Sequence, residues 1–338
     1  MKDRALFEAE YRICGILGFG RFATVYRCMH RESGQYYAAK LLTKQPSVVE
    51  VEVGILTQFK HHKNIVSLVE VFRGSRESVL VLELVPGGEL IDVLGSVIVS
   101  EYDLSHVIKH VCSTLYCLHY KHVIHMDIKP ENLLVYNTLH KPRVRLVDFG
   151  LARVLQYKKL ERIAPDEEED EERQIIRGTP EFLAPEVMLS SDCDASSPAV
   201  DMWSLGVTVY IALTGISPFL GEDHYETVYN IIHRNCYLGD QLFGDYSEEA
   251  LDFITRLLRP SPQSRMTAAE CLSHPWLSKK KRAKQHDNLL RSHAPDPQLD
   301  PPPGDSMAGI RRSLRNLSVS SDSNIKPSSV NRNNYKNR

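Results

Sequence analysis

The segment HMDIKPENLLV, residues 125–135, holds side chains that suit the transfer of a phosphoryl group. Asp127 can accept the proton of an incoming hydroxyl, Lys129 can neutralise a phosphate, and Asn132 can bind a metal ion. Asp148, in LVDFG, adds a second metal ligand. Met126 precedes the aspartate, where loops with this chemistry have an arginine. The residue types therefore predict metal-assisted phosphoryl transfer from a loop that has lost one basic residue.

A glycine pair lies upstream, in GFGRFATVYR (18–27). Gly18 and Gly20 stand between two strand-like runs, so a hairpin here can bring backbone N–H groups close to phosphate oxygens. Ala23 takes the place of a third glycine and, as the smallest residue with a β-carbon, still leaves room. A plain hairpin turn is the alternative explanation for this spacing.

The next strand-like run, YAAK, ends at Lys40. This lysine can hold nucleotide phosphates if a glutamate on the following helix pairs with it. Glu52 is the predicted partner, because Ile55 and Leu56 follow it at the spacing of a buried helix face. Glu50 is the alternative. The segment between Lys40 and Glu52 is short, which predicts a short helix.

Hydrophobic spacing divides the chain into two parts. Residues 11 to about 82 read as strands with one helical stretch near SVVEVEVGILTQF, whereas helical spacing follows Glu89, as in DLSHVIKHVCSTLYCLHYKH. The predicted fold class is α+β, with a small β-rich lobe at about 11–85 and a larger, mainly helical lobe at about 86–277. A chain of 338 residues with 42% apolar side chains can supply a core for both lobes.

Composition narrows the class of protein. No run of about 18 apolar residues occurs, and acids near the start break any signal-peptide pattern, so neither a membrane span nor secretion is expected. The formal net charge of -2 argues against nucleic-acid binding. The seven cysteines include no CxxC pair, which indicates reduced thiols. These features favour a cytoplasmic or nuclear protein.

Two charged segments have open interpretations. Residues 278–338 are basic and rich in Pro and Ser, and are predicted to form a disordered tail. Within the tail, KKKRAK is a candidate nuclear-import patch, and MAGIRRSLRNLSV has the amphipathic spacing of a calmodulin-binding or autoinhibitory helix; a solvated tail is the alternative. The acidic stretch from Asp166 to Glu172 is either part of a solvated insert or a site that attracts basic substrate or the basic tail.

The chemical motifs occur in one order: the glycine pair, Lys40, Glu52, Asp127, Asn132, Asp148, APE (184–186) and DMWSLG (201–206). In this order they resemble the eukaryotic protein kinases over roughly residues 11–277. DIKPEN and GTPEF resemble Ser/Thr rather than Tyr kinases. ELVPGGEL, GTPEFLAPEV and CLSHPWL are similar to the calmodulin-kinase group, and most of all to the myosin light chain, death-associated, titin and Trio/obscurin kinases.

The resemblance implies ATP and Mg²⁺ as cofactors and assigns roles to further residues. Leu82 would be the gatekeeper, and Glu83 to Val85 the hinge that reads adenine. The residues implied to contact the nucleotide are Leu17, Gly18, Gly20, Val25, Ala38, Lys40, Leu82, Glu83, Val85, Glu89, Leu134 and Asp148. The implied catalytic residues are Lys40, Glu52, Asp127, Lys129 and Thr179, and the implied metal ligands are Asn132 and Asp148. A buried core would by itself explain Val25, Ala38 and Leu134.

Met126 bears on how the activity is regulated. In the family, the arginine that Met126 replaces contacts a phosphate on the activation loop. Its loss predicts an active Ser/Thr kinase whose loop does not wait for phosphorylation, as in the titin- and Trio-like kinases that carry a similar apolar residue. A pseudokinase or scaffold that presents interaction surfaces is the alternative function.

Two acids bear on the choice of substrate. In similar kinases, acids at the positions of Glu89 and Glu131 face arginines ahead of the target residue, which predicts protein substrates with basic residues before Ser or Thr. An ordinary exposed acid is the alternative for Glu131.

Overall fold

The computed structural model describes eight stretches of the chain. They are residues 2–20, 23–43, 46–74, 77–96, 100–136, 142–155, 180–189 and 197–278. The acidic insert, Thr179 and the predicted tail beyond Ser278 lie outside the described residues.

A six-stranded sheet forms the small lobe, in the order β1-β5-β6-β4-β3-β2. The strands are β1 (Lys2–Asp3), β2 (Tyr11–Phe19), β3 (Ala23–His30), β4 (Tyr36–Leu42), β5 (Leu68–Arg73) and β6 (Ser78–Glu83). All neighbouring pairs are antiparallel except β1 and β5, which are parallel. The strand-rich small lobe predicted from the sequence is confirmed.

The two faces of the sheet pack against different helices, because side chains alternate along each strand. Leu80 and Leu82 of β6 belong to the main core, together with Ile55 of helix α2 (Pro46–Gln58). Val79 and Val81 point the other way, into a second cluster that contains Phe7 of helix α1 (Arg4–Glu10). The small lobe is therefore covered by a helix on each face.

The N-terminal segment, defined as Lys2–Glu10, belongs to the folded small lobe. Asp3 caps α1 by accepting the N–H of Ala5 at 2.8 Å, and the ring of Phe7 is only 2% exposed. Lys2 Nζ lies 2.7 Å from Glu70 Oε1 on β5. The boundary predicted at residue 11 leaves this segment out, because a seven-residue helix with one buried aromatic ring carries too little periodicity to be noticed.

Helices dominate the large lobe. They are α3 (Leu90–Ser96), α4 (Glu101–Tyr120), α5 (Pro185–Leu189), α6 (Ala199–Thr214), α7 (His224–Ile232), α8 (Asp240–Phe243), α9 (Glu248–Leu257), α10 (Ala268–Ser273) and α11 (Pro275–Ser278). The sequence of α6 is apolar on every side because the helix runs through the middle of the lobe, and it ends at Gly215, whose φ of 74° is left-handed. Among the described helices, none has the length and apolar character needed to cross a membrane.

Two small sheets lie where the lobes meet. They pair β7 (Val123–Ile124) with β10 (Arg153–Val154) and β8 (Leu133–Tyr136) with β9 (Arg143–Leu146). A bridge between Ile65 and Leu146 joins the lobes, and Arg145 Nε lies 3.0 Å from Glu83 Oε1 at the end of β6. The bilobal α+β arrangement predicted from the sequence is confirmed.

Candidate active site

Lys40 lies at the centre of the cleft between the lobes. It stands on β4 opposite Val25 of β3 and Leu80 of β6. The residue is 4% exposed, and its ammonium group lies 2.5 Å from Glu52 Oε1 and 2.8 Å from Asp148 Oδ1. The partner of Lys40 is therefore Glu52, as predicted, and α2 is a helix of 13 residues.

Charges in this cluster compensate one another. Burial lowers the pKa of Lys40, but the carboxylates of Asp148 and Glu52 outweigh burial and raise it above its ordinary value. Burial raises the pKa of Asp148, but the charge and hydrogen bond of Lys40 outweigh it and hold that pKa well below its usual range. Both groups are therefore ionised at neutral pH.

Asp148 has an uncommon backbone conformation, with φ of 60° in the left-handed region. Its Oδ1 accepts the N–H of Gly150 at 3.1 Å as well as Lys40, and this contact holds the turn. The next residue, Phe149, is buried edge-on against His125, with 4.8 Å between ring centroids. The Asp-Phe-Gly segment is thereby fixed with its carboxylate toward the cleft.

The loop from His125 to Asn132 holds Asp127 with two donors. Lys129 Nζ lies 2.9 Å from Asp127 Oδ2, and Asn132 Nδ2 donates to the same oxygen at 2.8 Å. Asn132 reaches back because residues 130–132 form a short 3-10 turn that starts at Pro130. Burial lowers the pKa of Lys129, but the charges of Asp127 and Glu131 prevail and raise it, so the ammonium stays charged.

Asp201 holds the backbone of this loop through hydrogen bonds. Its carboxylate, fully buried on α6, accepts the backbone N–H groups of His125 at 2.9 Å and Met126 at 2.8 Å, and a third bond joins it to His119 at 2.8 Å. Burial raises the pKa of Asp201, but the bond with His119 outweighs it and the net pKa lies below the ordinary value. Asp201 stays charged and fixes the backbone just ahead of Asp127.

Met126 lines a cavity of about 320 Å³ next to α2. Val48, Val51 and Phe149 contribute apolar walls to this cavity, and Arg153 of β10 lines it as well. The described lining of this cavity is thus mainly apolar, and Arg153 is the basic residue among it.

Three of the apolar residues assigned to the nucleotide, Val25, Ala38 and Leu82, lie on one face of the small-lobe sheet. Ala38 pairs with Leu82 across β4 and β6, and two residues further along β4 Lys40 pairs with Val25 on β3. Gly18 pairs with Val25 near the turn of the β2–β3 hairpin. Gly20 donates its N–H to Ala23 at 2.8 Å, and Leu17 is half exposed on β2.

The stretch after β6 turns tightly into the large lobe. The side chain of Glu83 accepts the N–H of Ser67 at 2.9 Å and pairs with Arg145, while Val85 is half-buried. A β-carbon at Gly87 would lie 2.0 Å from the carbonyl oxygen of Val135, so only glycine allows this approach.

Glu89 follows this turn and is positioned by it. It forms a backbone bridge with Leu134. The structure thereby brings Glu89 and Leu134 together at the mouth of the cleft, although they lie far apart in the sequence.

The predicted metal ligands offer suitable oxygens. Asn132 uses its amide nitrogen for Asp127, which leaves Oδ1 as the ligand atom, and Asp148 uses Oδ1 for Lys40, which leaves Oδ2. Among the described residues, no group of three or more His, Cys, Asp or Glu side chains could hold a metal by itself. Two oxygens plus phosphate oxygens are a donor set that Mg²⁺ accepts, so these residues fit a magnesium–nucleotide complex.

Two acids, the half-buried Glu131 and the fully buried Glu181, lie close to Lys129. Oε2 of Glu131 and both side-chain oxygens of Glu181 have no hydrogen-bond partner among the described residues. Burial raises the pKa of Glu131, and burial raises the pKa of Glu181 to about 7, although the nearby hydroxyl of Ser217 acts in the opposite direction. Glu131 is therefore not the ordinary exposed acid that was its alternative interpretation.

The segment beyond the insert is anchored by another buried pair. Arg265 donates to both oxygens of Glu186, at 2.7 and 3.0 Å, and its guanidinium lies 5.1 Å from the ring centroid of Trp203. This fork joins the APE motif to the end of the large lobe.

Sequence comparison decides the family. The protein kinase domain signature matches residues 11–277. The chain belongs to the protein kinase family. As predicted from its motifs, this kinase resembles the Ser/Thr kinases of the calmodulin-kinase group. It is 37% identical over 271 residues to serine/threonine-protein kinase 17A of Oryctolagus cuniculus, covering 78% of this chain and 64% of the relative.

Further relatives agree with this assignment. The kinase is 36% identical over 286 residues to myosin light chain kinase 2, skeletal/cardiac muscle, of Rattus norvegicus, covering 82% of this chain and 44% of that protein. It thus spans less than two thirds of these relatives. Among solved structures, the autoinhibited serine kinase domain of the giant muscle protein titin matches with a TM-score of 0.68 and 29% identity, over 93% of this chain and 89% of that one.

Three functional features of this kinase were not predicted from the sequence. Asp201 lies inside the motif DMWSLG, but its role depends on contacts 75 and 76 residues away. Glu181 lies in GTPEF, where only burial distinguishes it from a surface acid. Arg153 carries no motif signal, and its place beside Met126 is visible only in the fold.

Proposed function

We propose that this chain is a serine/threonine protein kinase that transfers the γ-phosphoryl group of ATP to hydroxyl groups of proteins. The observation that carries the proposal is the presence of two clusters of hydrogen-bonded charged and polar side chains in the cleft. Lys40 is held between Glu52 and Asp148, and Asp127 is held by Lys129 and Asn132. The side chains needed for this chemistry are thus present, and within each cluster they contact one another.

Each residue has a defined task in this scheme. Lys40 holds the nucleotide phosphates, and Glu52 fixes the position of the lysine. Asp127 orients the acceptor hydroxyl and receives its proton through a carboxylate that Asn132 and Lys129 keep in one rotamer. Asn132 and Asp148 would hold the magnesium ions, which neutralise charge on the transferring phosphoryl group when bound.

The proposal includes a preference for basic substrates. Glu131 and Glu181 have carboxylate oxygens without partners, and a guanidinium group from a peptide would supply the missing donors. Glu89, at the mouth of the cleft beside Leu134, is a further acid that a basic side chain of the peptide could meet. The proposal also includes activity without phosphorylation of the activation loop, supported by the mainly apolar surroundings of Met126.

The catalytic assignment is tested by phosphate transfer. Purified full-length protein should incorporate label from γ-labelled ATP into a basic Ser-containing peptide, and Asp127→Asn should reduce turnover by about 100-fold or more without changing the thermal unfolding temperature. Asp240→Asn, at the exposed start of α8, is the matched control and should leave turnover unchanged. A wild-type protein that binds an ATP analogue but transfers no phosphate would favour the scaffold function instead.

The proposal extends to the tail, which lies outside the described residues. Arg311 and Arg312 precede Ser313, and Arg315 precedes Ser318, so both serines match a basic preference. A tethered segment meets its own cleft at an effective concentration of about 1 mM. We expect phosphate at Ser313 or Ser318 in wild type but not in Asp127→Asn, and higher peptide activity when the chain is cut after Lys284. If neither effect is observed, the tail is neither a substrate nor an inhibitor of this active site.

A further inference from the structure

The N-terminal segment is fixed on the edge of the small-lobe sheet. Lys2 and Asp3 pair in parallel with Phe72 and Arg73 at the end of β5. The ring of Phe7 packs against Tyr11 and Phe72, with centroid separations of 5.4 and 5.5 Å. Because the segment extends the sheet and buries an aromatic ring, its position is coupled to that of β5.

The same segment touches the turn that follows β5. A β-carbon at Gly74 would lie 2.9 Å from the β-carbon of Arg4, so the two backbones approach closely. Gly74 also donates its N–H to the carbonyl of Glu77 at 2.9 Å, which closes the turn toward β6. The end of β5, including Arg73, is thus held on one side by β6 and on the other by the N-terminal segment.

Arg73 carries this restraint to helix α2. Its Nε donates to Glu50 Oε1 at 2.6 Å, and one terminal nitrogen donates to Oε2 at 2.9 Å, which is a bidentate fork. The side chains of Arg73 and Glu50 are 25% and 52% exposed, so the pair contributes little to global stability. A planar fork of this kind still restricts orientation.

Glu50 and Glu52 hold α2 from different sides. Two residues apart on a helix, they project about 200° from each other. Glu52 meets Lys40 in the cleft, whereas Glu50 meets Arg73 at the outer end of β5. A shift of α2 away from Arg73 would therefore also change the distance between Glu52 and Lys40.

We propose that the N-terminal segment positions α2 for catalysis, acting through the fork between Arg73 and Glu50. Arg73 and Glu50 are positioning residues, because they act on the phosphate-binding lysine through Glu52 and do not touch the reacting groups. The proposal rests on the proposed function, since its main readout is turnover. It assigns a role in activity to residues that precede the matched kinase domain.

The experiment uses the full-length chain with Arg73→Gln, Glu50→Gln, the exchanged pair Arg73→Glu with Glu50→Arg, and Phe7→Leu. Each single variant should lower kcat for a peptide by about 3- to 10-fold, because small displacements of a catalytic group cost that much or more. Hydrogen exchange of the amides in residues 48–58 should become faster. The exchanged pair should recover most of both effects, which a loss of global stability would not do.

A double-mutant cycle connects the segment to the fork. Phe7→Leu should add little to the fall in kcat when Glu50→Gln is already present, because both changes act through one contact. Arg256→Gln is the matched control: it removes an exposed Arg–Asp pair on α9, with 3.0 Å between Arg256 Nε and Asp252 Oδ1, and should change neither readout.

Two results would overturn the proposal. The first is an unchanged kcat in the single variants. The second is a fall in the kcat of Arg73→Gln that the exchanged pair does not recover, at a constant unfolding temperature. If the wild type shows no turnover at all, the proposed function fails separately. Exchange in residues 48–58 then decides whether the segment holds α2: faster exchange in Phe7→Leu supports this and unchanged exchange contradicts it.

Discussion

The carboxylate of Asp201 accepts the backbone N–H of Met126 at 2.8 Å and holds this residue at a φ of 69°, in the left-handed region. A non-glycine residue in that region costs about 1–2 kcal/mol, so the conformation needs an external restraint. Asp201 supplies the restraint through a buried charge with three hydrogen-bond donors around it. The shape of the loop that carries Asp127 therefore depends on a fully buried residue of α6.

Replacing Asp201 by Asn tests this dependence. The amide has the same shape but presents an NH₂ group to a backbone N–H, so we expect the free energy of unfolding to fall by about 2–4 kcal/mol. We also expect kcat to fall about 10-fold or more, because Asp127 loses its fixed position. Denaturant unfolding and peptide turnover measure the two effects. Asp240→Asn serves as control, and an Asp201→Asn protein with wild-type kcat would contradict the positioning role.

A second prediction concerns Glu181 and the pH dependence of stability. Burial raises its pKa from 4.5 to about 7, so the folded protein binds this proton more tightly than the unfolded chain does. The contribution of Glu181 to the free energy of unfolding is therefore most favourable below about pH 4.5 and decreases as the pH rises toward about 7. Glu181→Gln mimics the neutral acid and removes this dependence.

The measurement is urea unfolding at two pH values. At pH 8 we expect Glu181→Gln to be more stable than wild type by roughly 2–3 kcal/mol, and at pH 5 by well under half of that. Glu32→Gln, an exposed acid in the turn between β3 and β4, should show no such difference. An equal effect of Glu181→Gln at both pH values would mean that its carboxyl does not titrate in this range.

The third prediction concerns the choice of peptide. Glu131 has an unpartnered carboxylate oxygen, and Glu89 lies beside Leu134 at the mouth of the cleft, so both can meet basic residues two or three positions before the acceptor. A charge pair in such a place contributes about 1–3 kcal/mol, which corresponds to roughly a 5- to 150-fold preference in kcat/KM for arginine over alanine. A double variant, Glu89→Gln with Glu131→Gln, should lose most of this preference.

Paired peptides that differ only at the basic position provide the measurement. The ratio of their kcat/KM values cancels any general loss of activity in the variant. Glu32→Gln is again the control and should keep the wild-type ratio. A wild-type preference for acidic or proline-directed peptides, or an unaltered ratio in the double variant, would contradict the assignment.

Whether a feature could be predicted from the sequence depends on how far apart in the sequence the contacting residues lie. Lys40, Asp127, Asn132 and Asp148 could be proposed from the sequence because each proposed task requires one residue type within a short motif. The choice of Glu52 over Glu50 could also be made, since helical spacing relates each acid to the buried Ile55.

Other features could not be read from the sequence. The fork between Arg73 and Glu50 joins residues 23 positions apart, and the contact of Asp201 with Met126 spans 75. Neither pair leaves a local pattern, because the order of the sheet strands and the path of α6 decide them. The N-terminal segment was missed for a related reason, since the position of Phe7 is explained only by Phe72 on the strand beside it.

The last prediction concerns Met126, which lines the cavity of about 320 Å³ with Val48, Val51 and Phe149. Met126→Arg restores the basic residue of other kinase loops and places it near Arg153. The described residues that line this cavity include no acid to pair with the new charge, so we expect kcat to change by less than about 3-fold and the unfolding temperature to fall slightly. Peptide turnover before and after phosphatase treatment measures the effect.

The control for this prediction is Met126→Leu, which keeps the apolar contacts and should behave as wild type. Wild-type activity should be the same before and after phosphatase, because the described residues that line the cavity around Met126 are mainly apolar. A many-fold rise of wild-type activity on phosphorylation of the loop would contradict this prediction. In that case the apolar residue at position 126 would not make this kinase independent of phosphorylation.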